Sequence, residues 1–374
     1  MTAAKSRGRR SGTPAGSSAK SKAKDSTTEA LVVRSNFDPD HRVVALTGAR
    51  SFLGEELIRR LEEDRRYVKV LAIDIRRPEI PVTKTRFHKI DLTLPNADAE
   101  VAQVLKREGV DTVVHLAFLS KPTHNYSWAH ELEAIGSLHV LNACAACKVH
   151  KVVQWSFTAL YGAVPTNPNY LRETRRVEGA SGGRFFTDKL EAERLARRYR
   201  AENPTAVVTV LRTAAILGRH CNNYVGQYFS LPVVPVLLGY DPLVQLLHED
   251  DAVTAFKLAV DGDFNGEYNI AGEGVLPLST ALALSGKLTM AVPHVLAYPL
   301  AKVLWMTQVL DIAPPFLDFL RYLCVADIEK ARVEMGFTPA HDVREILMDF
   351  AGTAPLNAPP VRAPLAKKGD VHAF

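Results

Sequence analysis

The sequence predicts an α/β protein whose core is a doubly wound parallel sheet. Three observations carry this. Short β-branched runs alternate with helical stretches, a glycine-rich turn follows the first run, and an aspartate ends the second. Strands joined through helices run parallel and are covered on both faces, so they read as nearly continuous apolar segments.

The expected strands are Val43–Thr47, Val68–Asp74, Val110–Ala117, Lys151–Ser156 and Ala206–Leu211. Each is short, apolar and rich in branched residues. Helical spacing marks Leu53–Glu63, Ala129–Cys147 and Phe185–Ala201. From Gly218 the rhythm loosens into Pro-containing loops, short strands around Leu243–Leu247 and Glu267–Ile270, and further helices. The expected organisation is a sheet domain over residues 41–217 and a smaller part over 218–351, interleaved with the sheet and forming the other wall of a cleft. The stretch Pro293–Leu323 is rich in Leu, Pro and aromatics; core packing is its expected role, with an amphipathic lid or membrane-surface helix as alternatives.

Residues 1–40 hold Ala, Ser, Lys, Arg and Gly without apolar periodicity, and up to Lys24 they carry seven Lys or Arg and no acid. Such a segment buries too little surface to offset its ordering entropy and reads as a disordered basic tail. A solvated tail is the plain reading, and contact with nucleic acid or an acidic membrane surface is the alternative. Residues 352–374 also read as a flexible tail. The 374-residue chain is 47% hydrophobic with net charge +5. It has no run of 18 apolar residues, which argues against a membrane-spanning helix. No apolar signal core follows Met1, and four scattered cysteines make no disulfide framework, so a cytoplasmic location is expected.

The run Val43–Thr47 leads into Gly48-Ala49-Arg50-Ser51-Phe52-Leu53-Gly54 and then a helix. A strand, a glycine turn and a helix start aim backbone N–H groups and the positive helix end at a pyrophosphate. Gly48 serves the tight turn, and Gly54 allows close helix–strand packing. Ser51 stands at the middle glycine position, and its hydroxyl is a candidate phosphate donor. Asp74 ends the second strand 20 residues after Gly54. That is the spacing at which a carboxylate accepts hydrogen bonds from the adenosine ribose hydroxyls of a Rossmann-bound dinucleotide. A carboxylate there repels a 2′-phosphate and favours NAD; Arg50, Arg76 and Arg77 leave NADP open.

With these pieces the chain resembles the extended short-chain dehydrogenase/reductases, in particular the NAD-dependent epimerase/dehydratase family that includes UDP-glucose 4-epimerase. The resemblance runs from about Val43 to about Phe350. It rests on the ordered set Thr47-Gly48 to Phe52-Leu53-Gly54, Asp74, Ile90-Asp91-Leu92, His115-Leu116-Ala117, Gly136-Ser137, Tyr161-Gly162, Lys189-Leu190, Leu211-Arg212 and Tyr268-Asn269-Ile270-Ala271-Gly272. It implies a Rossmann sheet with a smaller C-terminal substrate-side part. Asp91 would sit by the adenine, Leu92 beside it, Leu116 and Ala117 along the cofactor channel, and Lys189 at the nicotinamide ribose. A homodimer through the helices at Ala129–Cys147 and Phe185–Ala201 is implied as well.

The same resemblance exposes a departure. The family's chemistry uses Tyr-x-x-x-Lys and a Ser or Thr five residues before the Gly of the Tyr-Gly pair. Here Phe185 stands four residues before Lys189, and Phe157 five before Gly162. The tyrosine phenol, with an unperturbed pKa of about 10, is lowered by the lysine and the oxidised cofactor and shuttles a substrate proton. Phenylalanine has no proton to exchange. The segment after Leu211-Arg212 carries Ala215 where nucleotide-sugar enzymes usually place Asn, while Gln245 and His248-Glu249-Asp250-Asp251 fit the family; the Asp pair reads as a helix N-cap and a first-turn acid.

Other constellations read as structural. Cys144 and Cys147 lie in a helical Ala/Leu stretch with no second pair nearby, so no metal is expected. His220-Cys221 is a poor nucleophile–base pair because adjacent residues rarely face one another, and His115 reads as a packed strand-end histidine. Tyr161 and Tyr170 are the nearest alternative phenols. Two functions follow. In the first, the protein binds NAD and a sugar-nucleotide-like or other ligand as a sensor or partner-binding subunit. In the second, it is an oxidoreductase or epimerase using Lys189 with Tyr161, Thr158 or Ser156. A cofactor-stabilised scaffold is a further alternative.

Overall fold

The computed structural model describes residues 41–177, 183–308 and 313–352. Both predicted tails, residues 1–40 and 353–374, lie outside the described residues.

Seven parallel strands form the central sheet. Strands β1 (Arg42–Thr47), β2 (Tyr67–Asp74), β3 (Thr85–Lys89), β4 (Thr112–His115), β5 (Lys151–Phe157) and β6 (Val207–Thr213) are joined by Gly266–Ile270. Their spatial order is 3-2-1-4-5-6, with Gly266–Ile270 outside β6. Every neighbouring pair is parallel. The chain reverses direction across the sheet between β1 and β4, which is where open α/β sheets bind ligands, beyond the carboxyl ends of the strands.

Helices cover both faces. On one, α1 (Phe52–Glu63) packs beside the helix Glu249–Asp261; on the other lie α2 (Ala97–Glu108), α4 (Gly136–Cys147) and α5 (Arg184–Glu202). The predicted helix Ala129–Cys147 is interrupted: α3 (Tyr126–His130) passes through a π-helical turn, Glu131–Ile135, before α4 begins. The core fills both faces, with Leu46, Leu57 and Phe256 enclosed on one and Ala45, Val101 and Val140 on the other.

The part after Gly218 contributes two-stranded pairings and a separate apolar cluster around Leu246, Phe229 and Ile346. The expected core role of Pro293–Leu323 holds for Phe316 and Leu317, which are buried in apolar clusters, and is corrected for the helix before them. In the helix His294–Met306 only Ala297 and Trp305 are buried, while Val295, Leu296, Leu300, Val303 and Met306 are exposed. The helix lies outside the sheet's two faces, where too few elements surround it to cover its whole circumference. Among the described residues no helix is long and apolar enough to cross a membrane.

Candidate functional site

The turn after β1 builds the first compartment. Gly48 has φ +68°, and a side chain there would meet the Leu116 carbonyl carbon at 2.6 Å and the Ala117 nitrogen at 2.7 Å. A Cβ on Gly54 would meet the Gly48 carbonyl oxygen at 2.6 Å. Both positions are therefore closed to any larger residue. Ser51 is the N-cap of α1: its Oγ accepts from the Gly54 N–H at 3.0 Å and donates to the Gly48 carbonyl at 2.7 Å. The Ser51 hydroxyl thus braces the turn from within. Phe52 opens α1 with its ring stacked on His220, and Leu53 is buried beneath.

Asp74 ends β2 beside this turn. Its carboxylate accepts from the backbone N–H groups of Arg50 at 2.9 Å, Ile75 at 2.7 Å and Arg76 at 3.3 Å. Burial raises its pKa above the usual carboxylate value, against the pull of these N–H groups. The carboxylate thus fastens the glycine turn to the strand end. The Arg50 guanidinium is paired with Glu55 at 3.0 Å and Glu79 at 2.8 Å. The Arg77 guanidinium lies over the Phe87 ring, 5.9 Å from its centroid, and Arg76 is exposed.

Gly48, Asp74, Asp91, Leu92 and Ala117 line one concave pocket at the carboxyl ends of β1, β2 and β4, closed by Trp128 and Leu132. Asp91 is braced by the Thr93 backbone N–H at 3.0 Å and its hydroxyl at 2.7 Å. Leu116 is buried behind Ala117. An apolar slot with a ribose-reading acid at one side and a tight glycine turn at the other has the features of a dinucleotide's adenosine half. Trp128 and Leu132 belong to it but carry no motif: each is an apolar residue on a helix, like many core residues.

Lys189 lies further along the cleft, on α5, fully buried. Its ammonium pairs with Glu133 of the π-helical turn, and both side chains are about 1% exposed. Glu133 also accepts from the Leu119 N–H at 2.6 Å. Around the ammonium lie the rings of Phe185, Phe157 and Phe118, with centroids 3.8, 5.0 and 6.0 Å away. Burial lowers the lysine pKa and raises that of the glutamate, while their mutual attraction opposes both shifts. Ring faces attract a cation, so the cage and the carboxylate share the charge.

The other proposed acid–base groups are placed differently. Ser156 donates to Glu193 at 2.5 Å, and Glu193 holds Arg212 through contacts of 2.6 and 3.1 Å. Arg212 donates to the Tyr161 oxygen at 2.7 Å, and Tyr161 donates to Asn269 at 2.9 Å. This buried network ties β5, α5, β6 and Gly266–Ile270 together, and burial raises the Tyr161 pKa. The Ser156 and Tyr161 hydroxyls are both engaged within this network. Thr158 is buried in the turn after β5, and Tyr170 is exposed on a loop.

His115 bonds Thr47 at 2.6 Å and Ser137 at 2.8 Å, and burial lowers its pKa to about 3. His220 pairs with Glu249 at 2.6 Å, and Cys221 lies 3.3 Å from the same carboxylate. Burial and that carboxylate push the Cys221 thiol well up, which disfavours the nucleophilic thiolate. Cys144 and Cys147 are free thiols, and no metal-binding cluster occurs among the described residues. Asp250 is not an N-cap: His248 caps the helix Glu249–Asp261, accepting from the Asp250 N–H at 3.2 Å. Gln245 is a strand-side clamp bonding both backbone groups of Ala326, at 2.8 and 2.9 Å.

The sheet order, the glycine turn and the strand-end acid together define a dinucleotide-fold protein. The chain belongs to the NAD dependent epimerase/dehydratase family, whose model matches residues 44–271. It is 30% identical over 316 residues to the uncharacterized protein Rv0501 of Mycobacterium tuberculosis, covering 83% of each chain. Among solved structures it is similar to MoeE5 in complex with UDP-glucuronic acid and NAD, at 22% identity and TM-score 0.65, over 83% of this chain and 98% of that one. It is also similar to the UDP-glucose 4-epimerase of Thermotoga maritima with UDP-glucose, at 17% identity and TM-score 0.64, over the same shares.

Proposed function

We propose that this protein binds NAD in the cleft at the carboxyl ends of the strands, and that it does not run the tyrosine-based proton transfer of its family. The observation that carries the second half is the enclosure of Lys189 by Glu133, Phe185 and Phe157. A cationic lysine beside a tyrosine lowers the phenol's pKa. Here the neighbouring ring has no hydroxyl, and a carboxylate takes the lysine's charge instead.

The residues fit the cofactor's adenosine and pyrophosphate. Asp74 would accept from the ribose hydroxyls, Asp91 and Leu92 would border the adenine, and the Gly48–Gly54 turn with the start of α1 would face the phosphates. The pairing of Arg50 with Glu55 and Glu79 leaves that guanidinium engaged, which favours NAD over NADP. Bound NAD supplies a hydride acceptor, and this chain's own residues orient it. Phe185 offers no proton acceptor beside it, the Ser156 and Tyr161 hydroxyls are engaged with Glu193 and Asn269, and the Lys189 amine faces Glu133 inside the ring cage. The second compartment then serves a small-molecule ligand as a binding or sensing site; the solved neighbours are described in complex with sugar nucleotides and NAD, which supports this reading.

Calorimetric titration with NAD and NADP, followed by incubation of the NAD complex with UDP-glucose and UDP-glucuronic acid, tests the reading. The expected result is saturable NAD binding, weaker NADP binding and no absorbance from reduced cofactor. Reduction of the bound NAD by the unmodified chain overturns it.

A further inference from the structure

Beyond Lys189 the cleft opens into a cavity of 790 Å³. This falls in the range of sites for drug-sized ligands, roughly 300–1,000 Å³. Its walls are mostly apolar and aromatic: Leu119, Tyr126, Phe185, Trp305, Pro315 and Phe316. Polar side chains such as Thr123, Asp188 and Lys302 interrupt these ring faces, so the cavity suits a ligand with an apolar body and a polar end.

Three carboxylates and three cations stand on the walls of this cavity. Glu133 is paired with Lys189, Asp188 with His130 at 2.8 Å, and Asp318 accepts from the Tyr298 hydroxyl at 2.6 Å. The three cations on the walls are Arg184, Lys302 and Arg321. Arg184 lies over the Tyr126 ring and Arg321 over those of Tyr240 and Tyr322. The Nε of Arg321 is enclosed and has no hydrogen-bond partner among the described residues. The Arg321 side chain is only half-buried, and a guanidinium at an apolar wall favours an incoming anion. The helix His294–Met306 places Tyr298 and Trp305 on the cavity wall, while Val295, Leu296 and Val303 are 66%, 61% and 56% exposed. An apolar outer face on the wall helix of an apolar cavity fits a ligand that partitions out of water.

We infer that this cavity binds an amphipathic lipid anion, with its apolar body among the aromatic walls and its carboxylate or phosphate head at Arg321. The inference builds on the reading of the cleft as an NAD site and names the ligand class of its second compartment.

The test is calorimetric titration of the full chain with sodium oleate, oleyl alcohol and UDP-glucose, with NAD titrated into the same preparations. Oleate is expected to bind saturably, and oleyl alcohol about tenfold more weakly. Ala313→Trp, which fills the cavity, is expected to weaken oleate by about tenfold or more and leave NAD affinity unchanged. Ala129→Phe is the second filling variant, in case the first does not fold. Arg321→Gln should abolish the preference for oleate over the alcohol. Retained NAD binding without oleate binding, or oleate binding indifferent to all three variants, overturns this inference alone. UDP-glucose binding that the filling variants block overturns it as well. Oleate binding without NAD binding overturns the cofactor reading and leaves the lipid site standing.

Discussion

Removing Glu133 isolates the feature that most separates this site from a conventional one. Glu133 and Lys189 are each about 1% exposed and face one another inside a shell of phenylalanine rings. Glu133→Gln keeps the shape and the bond from the Leu119 N–H but leaves the ammonium without its counter-charge. Breaking a buried pair from one side costs about 3–5 kcal/mol, because the remaining charge is desolvated and uncompensated. The π faces recover part of this, about 2 kcal/mol for a desolvated cation, so the net loss expected is roughly 1–3 kcal/mol. Lys189→Met alone should cost a similar amount by stranding the carboxylate. The double variant Glu133→Leu with Lys189→Met removes both charges and should lie within about 1 kcal/mol of the parent chain, as for other buried pairs replaced by apolar side chains. Urea unfolding of the parent, Glu133→Leu, Lys189→Met and the double variant gives the coupling directly. Additive losses, or a Glu133→Gln cost below about 0.5 kcal/mol, would refute the enclosed pair.

Other outcomes follow from the same contacts. Asp74→Ala removes a charged acceptor for the ribose hydroxyls, worth about 1.5–3 kcal/mol, and should weaken NAD by roughly 10- to 100-fold in a calorimetric titration. Gly48→Ala meets backbone at 2.6 Å from a left-handed φ, so it should both lower the melting temperature and abolish NAD binding. Tyr161→Phe breaks the bonds to Arg212 and Asn269 and should cost about 1–3 kcal/mol in urea unfolding while NAD affinity stays unchanged. His115 is held neutral with its pKa near 3, below the unfolded value of about 6.5. The folded state therefore resists protonation that the unfolded chain accepts. The stability this group contributes is complete above about pH 6.5 and is lost as pH falls from there toward 3, by up to roughly 4 kcal/mol. His115→Gln should flatten that part of the stability–pH curve.

The sheet was legible because its strands are buried on both faces and announce themselves as apolar runs. β3 escaped, since Thr85–Lys89 lies at an edge, is half-exposed and carries a single apolar residue, Phe87. The glycine turn and Asp74 were legible because backbone geometry forces particular residues there. Ser156, Tyr161 and Arg212 stand at positions the family resemblance picked out, yet they act as joints between strands. A hydroxyl's partners are set by tertiary packing, and spacing does not reveal them. Glu133 was missed although a signal existed. Glu131 and Glu133 are two residues apart on a helix, so one must turn from solvent when the other faces it. The structure exposes Glu131 and buries Glu133. The helix His294–Met306 misled in the opposite sense, because an apolar composition does not say whether partners exist to cover it.

The most direct test of the central claim is the absorbance of the NAD complex with candidate sugar nucleotides, in the parent chain and in the double variant Phe185→Tyr with Phe157→Ser. The account predicts that both proteins bind NAD and that the parent never accumulates reduced cofactor with any sugar nucleotide, any reduction being confined to the variant with the two hydroxyls restored. Reduction by the parent chain at a rate the variant does not exceed would contradict it and show that another group beside Lys189 moves the proton.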